Sequence, residues 1–377
     1  MRQPAARPAL AVPFLDLRPS DAPLKEELLE AVSELVDSNA YTNGPDVALF
    51  ENAFASYCGT REAIGVASGL DALRLALLAC GIGPGDEVIV PALTFVATLE
   101  AVTQAGAQPV VVDVSASDYC IDPPAVEAAS GRGARFLVPV HLYGQLADMG
   151  RLADDATREG LLVVEDACQA HGAERDGLRA GATGVAGCFS FYPGKNLGAM
   201  GDAGAVTTSD PELARRVRAL REHGQTAKYV HELEGWTSRL DTIQALVLRR
   251  KLELLDGWNT QRRAAARYYR EHLAGVGDLG LPSVLGGRAP VWHLFVVTTA
   301  DPDGLAGFLA DRRIASARHY PQPVHLTTAY AHLGYRTGDF PVAEAVAREC
   351  LSLPIFPGIT EAQLGAVVEG VQAFFNG

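Results

Sequence analysis

One lysine stands where a covalent catalyst would be placed. Residues 188–192 form an apolar run typical of a short buried strand, and Pro193-Gly194 ends that run directly before Lys195. No acidic residue lies within six positions of Lys195. Burial lowers the pKa of a lysine, and the neutral amine can then attack a carbonyl. A surface lysine in a glycine-rich turn fits the same residues, so the rest of the chain must decide.

A pair of carboxylates follows a second predicted strand. The apolar residues 161–164 lead into Glu165 and Asp166, and ligands bind at the carboxyl ends of strands in such sheets. A pyridine-type cofactor needs a carboxylate at its ring nitrogen, because the protonated ring is the electron sink. Asp166 could equally cap the following segment. A metal pair with His171 is a further alternative, but it lacks a clear third ligand.

Two turns that follow predicted strands could contact a ligand. The first is suited to an anion and the second to a flat ring. Residues 68–72, Ser-Gly-Leu-Asp-Ala, lead from a strand into a helix, whose free N–H groups and dipole attract anions. An ordinary serine cap is the alternative, and neither a Walker A sequence nor GxGxxG is present there. Phe95 follows another strand and could stack on a ring or lie in the core.

Two later stretches could contact a substrate. Residues 318–325, Arg-His-Tyr-Pro-Gln-Pro-Val-His, are either an exposed structural loop or a loop that offers cations and donors to a diphosphate or sugar. Residues 236–241 indicate a capped helix start, with Arg239 as a possible anion ligand.

The elements that must position these residues alternate along the chain. Between residues 63 and 208, short apolar runs, including one at 136–141, alternate with helical patterns, including one from about 95 to 105. This alternation predicts an α/β layer fold with a mostly parallel sheet. Helices and two further β/α pieces follow, so we expect a large domain at 13–255 and a smaller α+β domain at 256–377, with a boundary near Asp256.

Composition restricts the class of protein. The chain has 377 residues, 48% of them hydrophobic, and a net charge of −13 without a long basic run, which argues against nucleic-acid binding. None of its six cysteines forms a CxxC pair, and no stretch approaches a membrane span. Residues 1–12 are expected to be a loose lead-in, without a signal peptide in residues 1–11. A location in the reducing cytoplasm is therefore expected.

Taken together, these motifs resemble the DegT/DnrJ/EryC1/StrS aminotransferases, which are enzymes that use pyridoxal 5′-phosphate (PLP) to aminate keto sugars carried on nucleotides. The resemblance extends from residue 12 to residue 375. Its most specific parts are Pro-Phe-Leu-Asp-Leu at 13–17, Glu-Asp-Ala-Cys-Gln-Ala-His at 165–171, Ser-Phe-Tyr-Pro-Gly-Lys-Asn-Leu-Gly at 190–198 and Arg-His-Tyr-Pro at 318–321. It implies the fold type I aminotransferase architecture, with a large sheet of the seven-stranded type, and a homodimer that shares its active sites.

The resemblance also implies roles for individual residues. Lys195 would form the Schiff base with PLP and Asp166 would pair with the pyridine nitrogen. The remaining cofactor contacts would come from the backbone N–H groups of Gly69 and Leu70 and from Phe95, Gln169 and Ser190. Substrate contacts are expected from Tyr41, Arg239, His319, Tyr320 and His325.

Two positions depart from the family pattern. Many members have Thr where this chain has Leu70, so only the backbone contact to phosphate remains. Thr237 stands where many members have an Asn that reaches the neighbouring subunit's phosphate, and the threonine has a shorter reach.

The expected reaction follows from the presence of Lys195, since relatives that have His at this position dehydrate sugars. An amino group is expected to move from an amino acid, L-glutamate, to a keto sugar on a nucleoside diphosphate. The surroundings of Lys195 resemble those of members that act at C-3, which indicates a dTDP-3-keto-6-deoxyhexose. A keto-cyclitol (inosose-type) acceptor and a non-catalytic PLP-binding regulator are the alternatives.

Overall fold

The computed structural model describes residues 10–131 and 133–377. Most of the predicted lead-in, and with it most of the segment examined for a signal peptide, lies outside the described residues. Within these ranges, none of the helices combines the length and the apolar character that crossing a membrane requires.

Thirteen α-helices lie in the described part of the chain. They are α1 (Arg18–Asp21), α2 (Lys25–Ser38), α3 (Pro45–Cys58), α4 (Gly69–Ala79), α5 (Ala97–Gln104), α6 (Pro123–Ser130), α7 (Met149–Glu159), α8 (Pro211–Arg221), α9 (Thr242–Leu252), α10 (Leu255–His272), α11 (Pro302–Asp311), α12 (Pro341–Glu349) and α13 (Glu361–Phe375). Local chemistry sets many of their ends. Asp210 accepts hydrogen bonds from the first backbone N–H groups of α8, and Gly160 ends α7 in the left-handed conformation.

The strands are short. They are β1 (Glu62–Val66), β2 (Glu87–Pro91), β3 (Gln108–Val112), β4 (Phe136–Leu137), β5 (Leu162–Asp166), β6 (Glu174–Arg175), β7 (Leu178–Arg179), β8 (Ala186–Ser190), β9 (Gly204–Thr208), β10 (Gln225–Ala227), β11 (Val230–His231), β12 (Arg288–Ala289), β13 (Phe295–Thr298) and β14 (Cys350–Leu353).

Seven strands form the main sheet in the order β1-β9-β8-β5-β4-β2-β3. Within it, β9 pairs antiparallel with both β1 and β8, whereas β8, β5, β4, β2 and β3 pair in parallel. The predicted α/β class with a mostly parallel sheet is therefore confirmed. Because β5 and β8 are parallel neighbours, their carboxyl ends, Asp166 and Ser190, lie at the same edge of the sheet.

Two predicted elements are shorter than expected. The strand predicted at 136–141 is limited to β4, because Pro139 has no N–H to donate to a neighbouring strand. Pairing resumes only as an isolated bridge between Val140 and Asp166. The helix predicted from about residue 95 begins at Ala97, which leaves Phe95 in the preceding loop, with its side chain exposed.

The C-terminal elements pack into a core of their own. Residues of α10, α11, α13, β13 and β14 form this cluster, together with Val12 from the other end of the described chain. Other C-terminal residues, among them Val324 and Phe340, instead join the core around the main sheet. Asp256 lies in the first turn of α10, and the domain boundary near it stays a prediction.

Candidate active site

A cavity of about 580 Å³ opens at the carboxyl ends of β5 and β8. The first turn of α4, the loop after β2, the loop after β8 and the segment at 319–320 contribute to its walls. The cavity brings together nine of the residues predicted from the sequence: Gly69, Leu70, Phe95, Asp166, Gln169, Ser190, Lys195, His319 and Tyr320.

Lys195 lies in the turn after β8, where its backbone N–H donates to the Tyr192 carbonyl at 2.8 Å. Burial lowers the pKa of its amine below the usual 10.5, and the nearby Cys168 and Asp166 offset only part of that effect. No hydrogen bond or ion pair to a residue of the described ranges occupies the amine. The side chain is therefore available to react with a carbonyl.

Asp166 ends β5 and is buried, with 6% of its surface exposed. Its Oδ2 accepts a hydrogen bond from Thr98 Oγ1 at 2.8 Å, and its Oδ1 accepts one from the Cys168 backbone N–H at 3.2 Å. Thr98 also contacts Thr94, with 2.9 Å between the hydroxyl oxygens. Among the described residues, no cation forms an ion pair with this carboxylate. An oriented, buried carboxylate in a cavity wall suits a ligand with a protonated ring nitrogen.

The first turn of α4 supplies the anion-binding end of the cavity. Ser68 caps the helix by accepting a hydrogen bond from the Asp71 N–H at 3.1 Å. The helix packs closely on the end of β8, and a Cβ added at Gly69 would lie 2.6 Å from Ser190 Cβ and 2.9 Å from Cys168 Sγ. A glycine at position 69 therefore lets the free N–H groups of α4 and the Ser190 hydroxyl approach the same point.

Aromatic and amide groups form the wall beside Asp166. The rings of Phe95 and Tyr320 lie 5.7 Å apart between centroids. Gln169 Nε2 donates to the Tyr320 hydroxyl at 3.0 Å, and Gln169 Oε1 accepts from the Tyr143 backbone N–H at 2.8 Å. These bonds hold both ends of the Gln169 amide in place.

His293 is a cavity residue that sequence reasoning missed. Asn196 Nδ2 donates to the Val291 carbonyl and to Asn259 Oδ1, each at 2.9 Å, and Asn259 Nδ2 donates to the His171 carbonyl. This pattern turns Asn196 Oδ1 toward His293 Nδ1, 3.3 Å away. His293 therefore carries its proton on Nδ1 and leaves Nε2 as an acceptor. Burial holds its pKa well below the usual value, so the ring is neutral.

Four predicted residues lie outside this cavity, and three of them are at least partly exposed. Tyr41 is half exposed on the surface. Thr237 Oγ1 contacts His223 Nε2 at 2.9 Å, and Arg239 forms an ion pair with Glu222 at 2.8 Å. A role for these residues in the cavity of the same chain has no support from their positions.

His325 and His171 are buried in other surroundings. His325 contacts Glu344 at 3.2 Å and packs edge-on against the Phe340 ring. His171, considered above as a metal partner of Asp166, packs against the rings of Phe189 and Phe191, and burial lowers its pKa to about 3. Neither histidine lines the cavity.

Comparisons with known proteins agree with this geometry. A model of the DegT/DnrJ/EryC1/StrS aminotransferase family matches residues 23–372. The chain is 50% identical over 361 residues to dTDP-3-amino-3,4,6-trideoxy-alpha-D-glucose transaminase of Streptomyces venezuelae, covering 96% of this chain and 95% of that protein.

Two crystal structures show the same fold. One, of S. venezuelae DesV in complex with a ketimine intermediate, has a TM-score of 0.95 at 49% identity, covering 97% of this chain and 99% of that one. The other, of NtdA from Bacillus subtilis with bound cofactor PMP, has a TM-score of 0.91 at 31% identity, covering 99% and 87%. The expected aminotransferase fold is confirmed, and the chain belongs to the DegT/DnrJ/EryC1/StrS aminotransferase family.

Proposed function

We propose that this protein is a PLP-dependent aminotransferase that moves an amino group from L-glutamate to C-3 of a dTDP-linked 3-keto-6-deoxyhexose. One observation carries the proposal: a lysine and a buried carboxylate share a cavity at the ends of adjacent parallel strands, and neither forms an ion pair with another of the described residues. The choice of a dTDP-linked sugar and of C-3 rests on the 50% identical relative, which is named for a dTDP-3-amino sugar.

The residues present fit the cofactor. Asp166 would hold the ring nitrogen, and the first turn of α4 with Ser190 would hold the phosphate. Phe95 would cover one face of the ring, and the Gln169 amide would lie beside it. When bound, PLP supplies a carbonyl that condenses with amines and a protonated ring that withdraws electrons from the substrate carbon.

Lys195 then moves the proton. Burial lowers the pKa of its amine, which favours the neutral form that can take the proton from the α-carbon of the amino acid and return it on the same face of the ring. In the second half of the reaction the proton transfer runs in the opposite direction, and the lysine delivers a proton to the sugar carbon. Asp166, oriented by Thr98, would keep the ring nitrogen protonated throughout.

We further propose a homodimer with shared active sites. Tyr41, Thr237 and Arg239 lie outside the cavity of their own chain, and in such a dimer they would serve the cavity of the partner. Co-expression of a Lys195→Ala chain with a Thr237→Val chain tests this arrangement. A mixed dimer has one site in which both substitutions coincide and one site that contains neither, so measurable activity is expected. If each variant is inactive by itself and the co-expressed mixture is inactive too, the arrangement with shared active sites is wrong.

The six cysteines are free thiols, which is compatible with the reducing cytoplasm in which we propose that the enzyme works.

The first test is an absorbance spectrum of the purified protein with PLP, recorded before and after addition of L-glutamate. We expect a band distinct from that of free PLP, which bleaches as the amino acid reacts. Lys195→Ala should abolish this response, whereas Lys25→Ala, on the exposed surface of α2, should not change it. A spectrum identical to that of free PLP would favour a non-catalytic role. Assays with the dTDP-keto sugar and with an inosose then separate the sugar acceptor from the cyclitol alternative.

A further inference from the structure

Arg262 is a buried cation in the cavity wall to which neither the motifs nor the proposed cofactor contacts assign a role. It lies on α10 and only 2% of its surface is exposed. Its neighbours in the wall include His293, Leu294 and Ile355, all of them from the C-terminal part of the chain. This part of the wall is therefore separate in sequence from the α4 turn that would hold the cofactor phosphate.

The hydrogen bonds of Arg262 use only one side of the guanidinium. Nη1 donates to the carbonyl oxygens of Trp292, His293 and Ile355, at 3.1, 3.3 and 3.0 Å. Among the described residues, buried Nε has no hydrogen-bond partner and Nη2 donates to none. Nε–H and Nη2–H project from the same edge of the planar group. The edge that matches a carboxylate with two parallel hydrogen bonds is thus unused.

The charge of Arg262 also lacks an anionic partner among the described residues. No carboxylate of the described residues forms an ion pair with it, and burial alone lowers its pKa to about 9, so the group is cationic at neutral pH. The imidazole rings of His293 and His319, which line the same cavity, are neutral because burial lowers their pKa values. An unpaired buried cation is costly, and an anionic ligand relieves that cost.

We propose that the Nε–Nη2 edge of Arg262 binds a carboxylate group of the amino-acid donor. This inference rests on the proposed aminotransferase function and assigns its donor subsite. A single edge with two donors, at 2% exposure, suits one planar carboxylate better than a diphosphate that must continue to a nucleoside at the surface. Arg262 and the Lys195 amine would then contact the same amino-acid substrate in one cavity.

The test separates the two half-reactions of the PLP-loaded enzyme. Arg262→Gln is expected to raise the L-glutamate concentration for half-maximal bleaching about 10- to 100-fold, the effect of losing charge-assisted hydrogen bonds. The reverse half-reaction, with the dTDP-linked amino sugar, should keep its wild-type concentration dependence. Arg263→Gln is the matched control, because Arg263 is the partly exposed neighbour on the same helix and, among the described residues, its side chain donates only to Thr260.

Other outcomes would overturn the proposal. Equal losses in both half-reactions would show that Arg262 only supports the fold, and a loss confined to the amino sugar would assign the edge to the diphosphate. If Arg262→Gln does not fold, a crystal structure of the wild-type holoenzyme with glutarate decides. A carboxylate on Nε and Nη2 supports the subsite, and a carboxylate elsewhere refutes it. A wild-type enzyme that does not respond to L-glutamate would instead refute the proposed function.

Discussion

Replacing Gly69 by alanine tests whether the close approach of α4 to β8 holds the anion-binding end of the cavity. The added methyl group would lie 2.6 Å from Ser190 Cβ and 2.9 Å from Cys168 Sγ, whereas carbon atoms in contact prefer about 3.5–4.0 Å. Neither neighbour is the tip of a long side chain, so α4 or the end of β8 must move.

The size of the effect follows from two opposing terms. Overpacking of this kind costs about 1–3 kcal/mol, while alanine in a helix is favoured over glycine by about 0.5–1 kcal/mol. We therefore expect the free energy of unfolding of the PLP-free protein to fall by about 1–2 kcal/mol. Since the same movement displaces the N–H groups of α4 from Ser190, PLP affinity should fall by a factor of about 5–30.

Denaturant unfolding gives the first quantity and titration with PLP gives the second. Gly257→Ala is the control, because Gly257 lies within α10 and its added Cβ would meet nothing within 4 Å. This variant should gain about 0.5–1 kcal/mol of stability. Wild-type stability and PLP affinity in Gly69→Ala would refute the reasoning. A comparable loss in Gly257→Ala would show that the effect is not specific to the cavity.

Three further outcomes are expected. Lys195→Gln should stabilise the PLP-free protein at neutral pH. The gain should vanish as the pH approaches 10.5, because a lowered pKa costs stability only where the unfolded chain still binds the proton that the folded chain binds more weakly. Denaturant unfolding across this range checks the sign. Thr98→Val should lower kcat/KM about tenfold by removing the hydrogen bond to Asp166, with Thr98→Ser close to wild type; equal losses in both would contradict the hydrogen-bond explanation. Nitrogen-15 NMR of His293 should show a neutral ring protonated on Nδ1 at neutral pH, and a proton on Nε2 would overturn the assigned hydrogen-bond network.

Local sequence patterns were sufficient to place candidate residues at strand ends, and the resemblance to the family gave them their expected roles. Lys195 and Asp166 each follow a short apolar run, and parallel strands necessarily bring their carboxyl ends to one edge of a sheet. Gly69 and Ser190 occupy comparable positions, at the start of α4 and the end of β8. These placements needed no information about distant contacts.

Other cavity residues gave no such signal. Thr98 lies on a helix, and its hydrogen bond joins it to a carboxylate 68 positions away. His293 acquires its tautomer from Asn196, a contact across 97 positions. Thr237 and Arg239 lay in a turn that looked suitable for anion binding, yet their partners are His223 and Glu222. Sequence spacing cannot select among such long-range partners.

The sequence by itself therefore determined the α/β class, the mostly parallel sheet and the strand-end residues, because strand periodicity, turn residues and helix caps act over a few neighbours. The tertiary structure decided which polar groups are left without partners. The unused edge of Arg262 and the oriented carboxylate of Asp166 depend on every other chain segment that packs nearby. The burial and the hydrogen bonds of a side chain depend on segments from the whole fold. A reactive group therefore becomes recognisable only once the fold is known.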